Sequence, residues 1–219
     1  MKRSTRKIFL DYGGTILAAL LAAFIIRTYF IEAYRIPSFG MKPTLISGDT
    51  IFVAKWSYYL RKSPIPERGD VVVFSTTGNS KNSSLDLIKR VVGLPGDKIA
   101  VEKGHLILNG RSLVNNPQRS EKFQTEIQPN GARYQICLFS PVMEDSKSEL
   151  VPEGFALVVG DMRSRFDSKK RKNLELVPLS SLKGKAIWIW LSIDPNPESR
   201  EGASRFPHFR WERMFRRIE

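Results

Sequence analysis

The sequence contains few of the residues that bind metals or form cross-links. Its 219 residues include one cysteine, Cys137, and two histidines, His105 and His208. One cysteine excludes an internal disulfide framework and a zinc site built from cysteines, and two histidines do not support a histidine-rich metal site. We therefore expect neither a metal nor another cofactor.

Acidic residues are also scarce beside basic ones. The chain has 35 Lys and Arg against 22 Asp and Glu, which gives a formal net charge of +13. Such an excess attracts phosphate, either of nucleic acid or of an anionic lipid surface. Hydrophobic residues make up 42% of the chain. The chain is therefore able to bury a core, which excludes global disorder.

A long hydrophobic run near the N-terminus favours the membrane over nucleic acid. We predict a transmembrane anchor over residues 13–33, in which Arg27 reaches the headgroups. It follows a basic segment, residues 1–12, that contains Lys2, Arg3, Arg6 and Lys7. This positive flank predicts a cytoplasmic N-terminus and an extracytoplasmic main domain. The absence of a small-x-small pattern just after the run favours an anchor over a cleaved signal peptide, and an amphipathic or buried helix is the third alternative.

After the anchor, short β-branched runs are separated by Gly, Pro and Asp, and no helical period appears. Eight segments are predicted as strands: 50–55, 70–74, 87–93, 98–102, 106–108, 132–139, 155–160 and 185–192. Gly-Asp pairs recur beside them, where glycine supplies a positive φ. The predicted fold is mostly β, an antiparallel domain after a transmembrane helix. Its core comprises residues 34–108 and 153–193, with a smaller inserted β and loop region at 109–152 and a basic, aromatic tail at 194–219.

Three segments carry residues that are suited to chemistry. They are P-S-F-G-M-K-P-T-L at 37–45, I-K-R-V-V-G-L-P-G-D at 88–97 and G-D-M-R-S-R-F-D-S-K at 160–169. Lys89 lies among apolar residues, where desolvation favours a neutral amine that acts as a general base. Each segment alone is equally typical of a structural element: an exit loop, a strand with an outward lysine, and a charged turn.

The order of the anchor and these three segments resembles bacterial type I signal peptidases. The likeness extends over nearly the whole chain and is weakest at 109–152 and in the tail. It implies a membrane-bound serine endopeptidase that removes signal peptides from exported preproteins with a Ser/Lys dyad. It also implies Lys89 as the general base and the Ser38 hydroxyl as an oxyanion donor. Residues expected to support the site are Asp161, Arg163, Ser164, Asp167 and Ser168.

Substrate and membrane contacts follow from the same resemblance. We expect the signal peptide to bind as an added β-strand, with Met41 and Ile88 as pocket walls. The expected membrane contacts are Phe39, Trp56, Tyr58 and Tyr59. The expected partners are signal peptides, the anionic lipid surface and, as a candidate, the export translocon, with no nucleic acid. The implied location is the inner (plasma) membrane, crossed once.

The chain departs from the family pattern at the position of the nucleophile. The residue before the motif methionine is the catalytic serine in the family, and here it is Gly40, which offers only its backbone N–H to an oxyanion. Arg165 also stands where the family has a serine that orients the lysine, so that Ser164 is the candidate substitute. These changes predict a protein that has lost proteolysis or nearly so, while it still binds signal peptides.

Three other hypotheses remain open at this point. In the first, the protein is an active signal peptidase in which Lys89 recruits Ser38 as a displaced nucleophile. In the second, it is a membrane adaptor of the export pathway. In the third, it is an engineered inactive variant, for which glycine is an unusual choice. Nucleic-acid binding is disfavoured, because an anionic membrane accounts for the positive charge.

Overall fold

The computed structural model describes residues 5–59, 65–77, 84–114, 122–140, 143–164, 174–195 and 208–218. Within these residues one long helix, α1 (Thr5–Tyr29), and a short one, α2 (Trp56–Tyr59), accompany a domain built of β-strands. The strands are β1 (Ile31–Arg35), β2 (Asp49–Ala54), β3 (Val71–Thr77), β4 (Ser84–Gly93), β5 (Lys98–Glu102), β6 (His105–Leu108), β7 (Arg111–Ser112), β8 (Phe123–Ile127), β9 (Arg133–Leu138), β10 (Ser146–Leu150), β11 (Phe155–Val159), β12 (Met162–Arg163), β13 (Glu175–Pro178), β14 (Leu182–Ser192) and β15 (Arg216–Arg217). The predicted fold class is confirmed.

Helix α1 keeps its apolar surface out of the β-domain. Residues Tyr12–Tyr29 are long and apolar enough to cross a membrane, and none of this segment is buried in the protein. A membrane anchor and a signal sequence share this length and composition. The helix ends at Tyr29, so residues 31–33 belong to β1 and not to the predicted anchor, because they pair with β2 from Ile31 opposite Ala54 onward.

The largest sheet of the described residues has eight strands. Their order is β1-β2-β14-β3-β4-β11-β13, and β15 pairs with β14. All the pairs in this sheet are antiparallel, as predicted. Each of the eight predicted strands is present to within a few residues at its ends.

Two smaller sheets fill the sequence between β4 and β13. One has the order β10-β5-β6-β7 and the other β12-β9-β8, in which β9 and β12 run parallel. Strand β10, which lies in the predicted insertion, pairs with β5, so the insertion shares a sheet with residues 98–108.

The large sheet has apolar side chains on both faces. The front cluster comprises Ile36, Met41, Leu45, Ile51, Val53, Val71, Val73, Ala186, Ile189 and Ile218. The back cluster comprises Tyr58, Val72, Phe74, Val91, Ala156, Val158, Val177 and Leu182. Successive residues of a strand point to opposite faces. Lys89 pairs with Val72 and therefore points to the back, whereas Arg90 pairs with Val71 and points to the front.

The Gly-Asp pairs place carboxylates where strands begin or end. Gly48, Gly69 and Gly96 have positive φ, as predicted, whereas Gly160 does not. The aspartates that follow these four glycines are all buried. Each forms an ion pair with a cationic side chain: Asp49 with Arg213 at 2.6 Å, Asp70 with Lys185 at 2.5 Å, Asp97 with Arg68 at 2.8 Å and Asp161 with Arg90 at 2.7 Å. The aspartates of the Gly-Asp pairs thus join separate segments of the fold through buried ion pairs.

Candidate active site

The loop that carries Ser38 and Gly40 follows β1 and is held by buried side chains. Met41 and Leu45 insert into the front cluster, with 4% and 0% of their surfaces exposed. The Leu45 N–H donates to the Met41 carbonyl at 2.9 Å. These contacts fix the loop conformation, while Gly40 remains partly exposed.

Gly40 has room for a side chain. Among the described residues, apart from the two chain neighbours, a Cβ atom built at this position would have only the Ser38 Oγ within 4 Å, at 3.9 Å. Gly40 is not among the residues with positive φ, so its backbone conformation does not require glycine. The local structure would therefore accommodate a serine at position 40.

The third motif segment lies against the first. The Met162 N–H donates to the Gly40 carbonyl at 3.1 Å, across 122 positions of sequence. Ser164 is buried, and its N–H donates to the Met162 carbonyl at 3.0 Å. The predicted supporting residues Asp167 and Ser168 lie outside the described residues.

Lys89 is buried and bound to a carboxylate that the sequence did not point to. Its Nζ lies 3.1 Å from Glu175 Oε2, and the side chains are 5% and 30% exposed. This contact holds the amine at a carboxylate on the back of the sheet, whereas the Gly40 loop packs on the front cluster. It therefore opposes the role of general base toward position 40, because a general base must lie within hydrogen-bond reach of the proton that it takes.

Glu175 was missed because its strand was not predicted. It starts β13, a four-residue edge strand whose neighbour β11 separates it from β4. In register, Val91 of β4 pairs with Val158 of β11, which pairs with Glu175. Two strand spacings are about 10 Å, a gap that a long lysine and a glutamate bridge together. Only the alternation in L-E-L-V-P, with Glu175 and Val177 on one face, could have indicated the contact.

On the front face, Arg90 and Asp161 form a fully buried ion pair. Arg90 Nε and Nη2 donate to the two Asp161 oxygens at 2.7 Å each. Arg90 also donates to the Thr44 hydroxyl at 3.1 Å, and its guanidinium lies 4.0 Å from the centre of the Tyr134 ring. Burial opposes the charged guanidinium, but Asp161 raises the pKa of Arg90 above its ordinary value. Asp161 is thus fixed by Arg90 on the front of the sheet, and its role in supporting the site stays a prediction.

Arg163 braces a different sheet. Its Nη2 donates to Glu126 Oε2 at 2.5 Å, and both side chains are buried. Burial raises the pKa of the Glu126 carboxyl, which the positive charge of Arg163 partly offsets. This pair joins β12 to β8 and does not contact Gly40 or Lys89.

The expected substrate and membrane contacts divide between surface and core. Ile88 packs against the front cluster that contains Met41, and their role as pocket walls stays a prediction. Phe39 and Trp56 are exposed, by 53% and 37%. Tyr58 is not available to a membrane, because it is 7% exposed and belongs to the back cluster, so the prediction for this residue is wrong. The side chain of Tyr59 lies outside the described residues.

The comparisons with known proteins agree with this arrangement. Residues 9–191 match the family model of signal peptidase, peptidase S26. The chain belongs to this family. In the part of the chain that the structure describes, no group of His, Cys, Asp or Glu is placed to hold a metal ion.

Individual signal peptidases match over most of the chain. Signal peptidase I of Pseudomonas fluorescens is 30% identical, over 95% of this chain and 80% of its own length. Signal peptidase I of Rickettsia typhi is 33% identical, over 78% and 75%. A crystal structure of a signal peptidase I from Enterococcus faecalis is 26% identical and covers 55% of this chain and 95% of that one, with a TM-score of 0.32.

The three motif segments meet on the front of the large sheet, through the Met162–Gly40 backbone hydrogen bond and the contacts of Arg90 with Asp161 and Thr44. The Lys89 side chain points to the opposite face of the sheet. The side chain at position 40 is only a hydrogen, and Lys89 Nζ contacts the Glu175 carboxylate. Such a site offers backbone donors and an apolar wall but no prepared pair of hydroxyl and amine.

Proposed function

We propose that this signal peptidase family member binds the signal peptides of exported preproteins without cleaving them at a useful rate. The observation that carries the proposal is Gly40, a residue without a side chain in the loop that is hydrogen-bonded to Met162. Loss of a catalytic nucleophile removes about six orders of magnitude of rate, and leaves what binding and oxyanion stabilisation provide.

The environment of Lys89 supports the same conclusion. Its Nζ is held by Glu175 on the back of the sheet, whereas the Gly40 loop packs on the front. A restored serine would therefore lack a base within hydrogen-bond reach. We infer that the site departs from a working dyad at both members, by the absence of an atom at position 40 and by an ion pair at position 89.

The edges of the large sheet retain the means to bind an extended peptide. On its free side β1 has no strand partner among the described residues, and β4 meets β11 only at residues 90, 91 and 93. Tyr34 of β1 and Ile88 of β4 both pack against the front cluster. A peptide strand added at the free edge of β1 would gain backbone hydrogen bonds, with Met41 and Ile88 as apolar walls.

A second candidate function is proteolysis by Ser38. Its Oγ lies 3.9 Å from the place that a Cβ at position 40 would take, so a hydroxyl is present near the missing one. Ser38 Oγ makes no hydrogen bond to Lys89 or to any other described residue, which weighs against this candidate. Catalytic groups must also be held within about 0.5 Å of their productive geometry.

The location follows from α1 and its basic flank. We propose that α1 crosses the inner (plasma) membrane once, with the N-terminus in the cytoplasm and the β-domain outside it. Anionic lipid and the export translocon are proposed partners. Exposed Phe39 and Trp56, the latter 6.2 Å from Phe30 between ring centres, support contact of this end of the domain with the bilayer.

A paired binding and cleavage assay tests the proposal. The full chain in detergent is mixed with a fluorescent preprotein that carries an A-x-A site, and anisotropy reports binding while gel electrophoresis reports cleavage. We expect saturable binding without product. Cleavage that disappears in both Ser38→Ala and Lys89→Ala would support the Ser38 candidate instead, and absence of binding would refute the proposed function.

A further inference from the structure

A cavity of about 700 Å³ opens on the front side of the large sheet, away from Lys89. Four arginines line it, Arg133, Arg213, Arg216 and Arg217, and no carboxylate is among the described residues of its wall. We propose that this arginine pocket binds a phosphate group, carried by an anionic lipid headgroup or by a soluble phosphate ester. The proposal does not depend on whether the protein cleaves signal peptides.

The pocket is assembled from three parts of the chain. One wall is the exposed face of the β8–β9 hairpin, where Thr125 pairs with Gln135, two residues from Arg133. The opposite wall is β15, whose two arginines pair with Trp188 and Ile189 of β14. Between them lies a floor that includes Ile218 and Tyr134, both buried. The cavity is therefore a product of the fold, and not of a single charged segment.

Most of the positive charge in the pocket is not neutralised by the protein. The Arg213 guanidinium is held by Asp49, with Nη2 2.6 Å from Oδ2, and so forms a fixed part of the pocket wall. Arg133, Arg216 and Arg217 make no ion pair with any described residue. Arg216 lies opposite Ile189, which also lines the cavity, whereas Arg217 lies opposite Trp188 on the other face of β14. The cavity therefore has two unneutralised arginines, Arg133 and Arg216, directed to it beside the paired Arg213, and this excess of positive charge attracts an anion.

The donor set matches phosphate better than a single carboxylate. Guanidinium groups present forks of N–H donors that fit phosphate oxygens in pairs, and several such groups match the charge and oxygen count of a phosphate. The Thr125 hydroxyl and the Gln135 amide add neutral donors at the exposed wall. The apolar floor would contact the carbon part of an ester.

Exposed aromatic residues close in sequence to the pocket arginines favour a lipid source without requiring it. Trp188, Trp211 and Phe215 are 51%, 71% and 80% exposed. Phe215 directly precedes Arg216, and Trp211 lies two residues before Arg213. Exposed aromatic residues beside arginines are typical of surfaces that meet lipid headgroups. The neighbouring Trp188 also provides a spectroscopic probe, because it pairs with Arg217.

Titration of the full chain in neutral detergent tests the proposal. The probes are inorganic phosphate, glycerol phosphate, short-chain phosphatidylglycerol and, as the zwitterionic control, short-chain phosphatidylcholine. Binding is followed by tryptophan fluorescence and calorimetry. We expect saturable binding of at least one anionic phosphate probe, weakened by added salt. A lipid source predicts that phosphatidylglycerol binds at least tenfold tighter than the free phosphates, and a soluble source predicts equal or tighter binding of glycerol phosphate.

Matched variants separate a built site from bulk charge. The double variant Arg216→Gln/Arg217→Gln is expected to weaken phosphate binding at least tenfold. The control Lys98→Gln/Arg111→Gln removes the same charge at exposed positions of the sheet that contains β5 and β7, and is expected to change binding less than twofold. Circular dichroism confirms that both variants are folded. The proposal would be overturned by an equal loss of phosphate binding in the two variants, or by the absence of saturable binding of any anionic phosphate probe. Tighter binding of a glutamate-rich peptide than of the phosphate probes would also overturn it.

Discussion

Glu175 Oε2 lies 3.1 Å from Lys89 Nζ, across two strand spacings of the large sheet. This contact joins the residue expected to act as a base to a carboxylate on an edge strand. It changes what a restored nucleophile would accomplish, because an ammonium ion must first lose its proton before it can act as a base.

The first prediction concerns the two members of the altered dyad. Gly40→Ser alone is expected to give slow cleavage of a preprotein, and Gly40→Ser/Glu175→Gln is expected to be at least tenfold faster, because the amide removes the ion pair that holds Lys89 Nζ on the back of the sheet. Initial rates of preprotein cleavage in detergent measure the difference.

A matched control for this pair is Gly40→Ser/Glu149→Gln, which neutralises an exposed glutamate of β10. It should match the rate of Gly40→Ser. Equal rates for the Glu175 and Glu149 double variants would show that the ion pair does not limit the base.

The second prediction concerns the room at position 40. Gly40→Ser is expected to change the free energy of unfolding by less than about 0.5 kcal/mol, since the new Cβ meets only Ser38 Oγ, at 3.9 Å. Gly184→Ser is the contrasting variant, because its Cβ would lie 2.6 Å from Val53 Cγ1 and 2.7 Å from the Ala54 carbonyl oxygen. Such overpacking costs about 1–3 kcal/mol. Urea unfolding followed by tryptophan fluorescence compares them, and a similar loss in both would contradict the geometry of the Gly40 loop.

The third prediction concerns the buried pair of Arg90 and Asp161. Asp161→Ala is expected to destabilise the domain by about 3–5 kcal/mol, because it leaves a buried guanidinium without its partner. Asp86→Ala removes a partly exposed partner of Lys183 and should cost about 1 kcal/mol or less. Denaturant midpoints of the two variants test the contrast. Similar midpoints would mean that the Arg90 pair is not buried as described.

The fourth prediction is a dependence of stability on pH. Burial opposes the charged form of Asp97, but hydrogen bonds from Arg68, the Leu94 N–H and Asn109 outweigh it and lower the pKa of Asp97. A lowered folded-state pKa contributes stability that is present above the unfolded value near 3.9 and is lost as pH falls through the folded value.

Asp97→Asn should therefore be less stable than the parent at pH 7, by about 2 kcal/mol, and should lose less stability between pH 5 and pH 2. Thermal unfolding across this pH range measures both effects. If the parent and the variant lost stability in parallel on acidification, Asp97 would not be the titrating group.

The strands with strong β-branched runs could be predicted, and those defined by pairing could not. Segments such as 98–102 carry their own signal, and the structure places β5 at Lys98–Glu102. Strand β10 is exposed at all five residues and shows no alternation, so only its pairing with β5 makes it a strand. Strand β1 was not predicted, because its first residue, Ile31, continues the hydrophobic run of α1 in the sequence.

The candidate site was predictable where a motif resembled a family and unpredictable where it depended on long-range contacts. Gly40 and Lys89 were identified from the residues around them. The partner of Lys89 comes from a strand that is 86 positions away, and Arg213, in the predicted basic tail, binds Asp49 across 164 positions. The order of strands in a sheet sets such contacts, and no local pattern encodes it.

The most direct test of signal-peptide binding without cleavage is a single-turnover assay with the unmodified full chain in excess over a preprotein that has a small-residue cleavage site. We expect that the preprotein binds and that no cleaved product exceeds the blank over several hours, while Gly40→Ser/Glu175→Gln gives product at the expected site. Product from the unmodified chain, at that site and absent in Ser38→Ala, would contradict it.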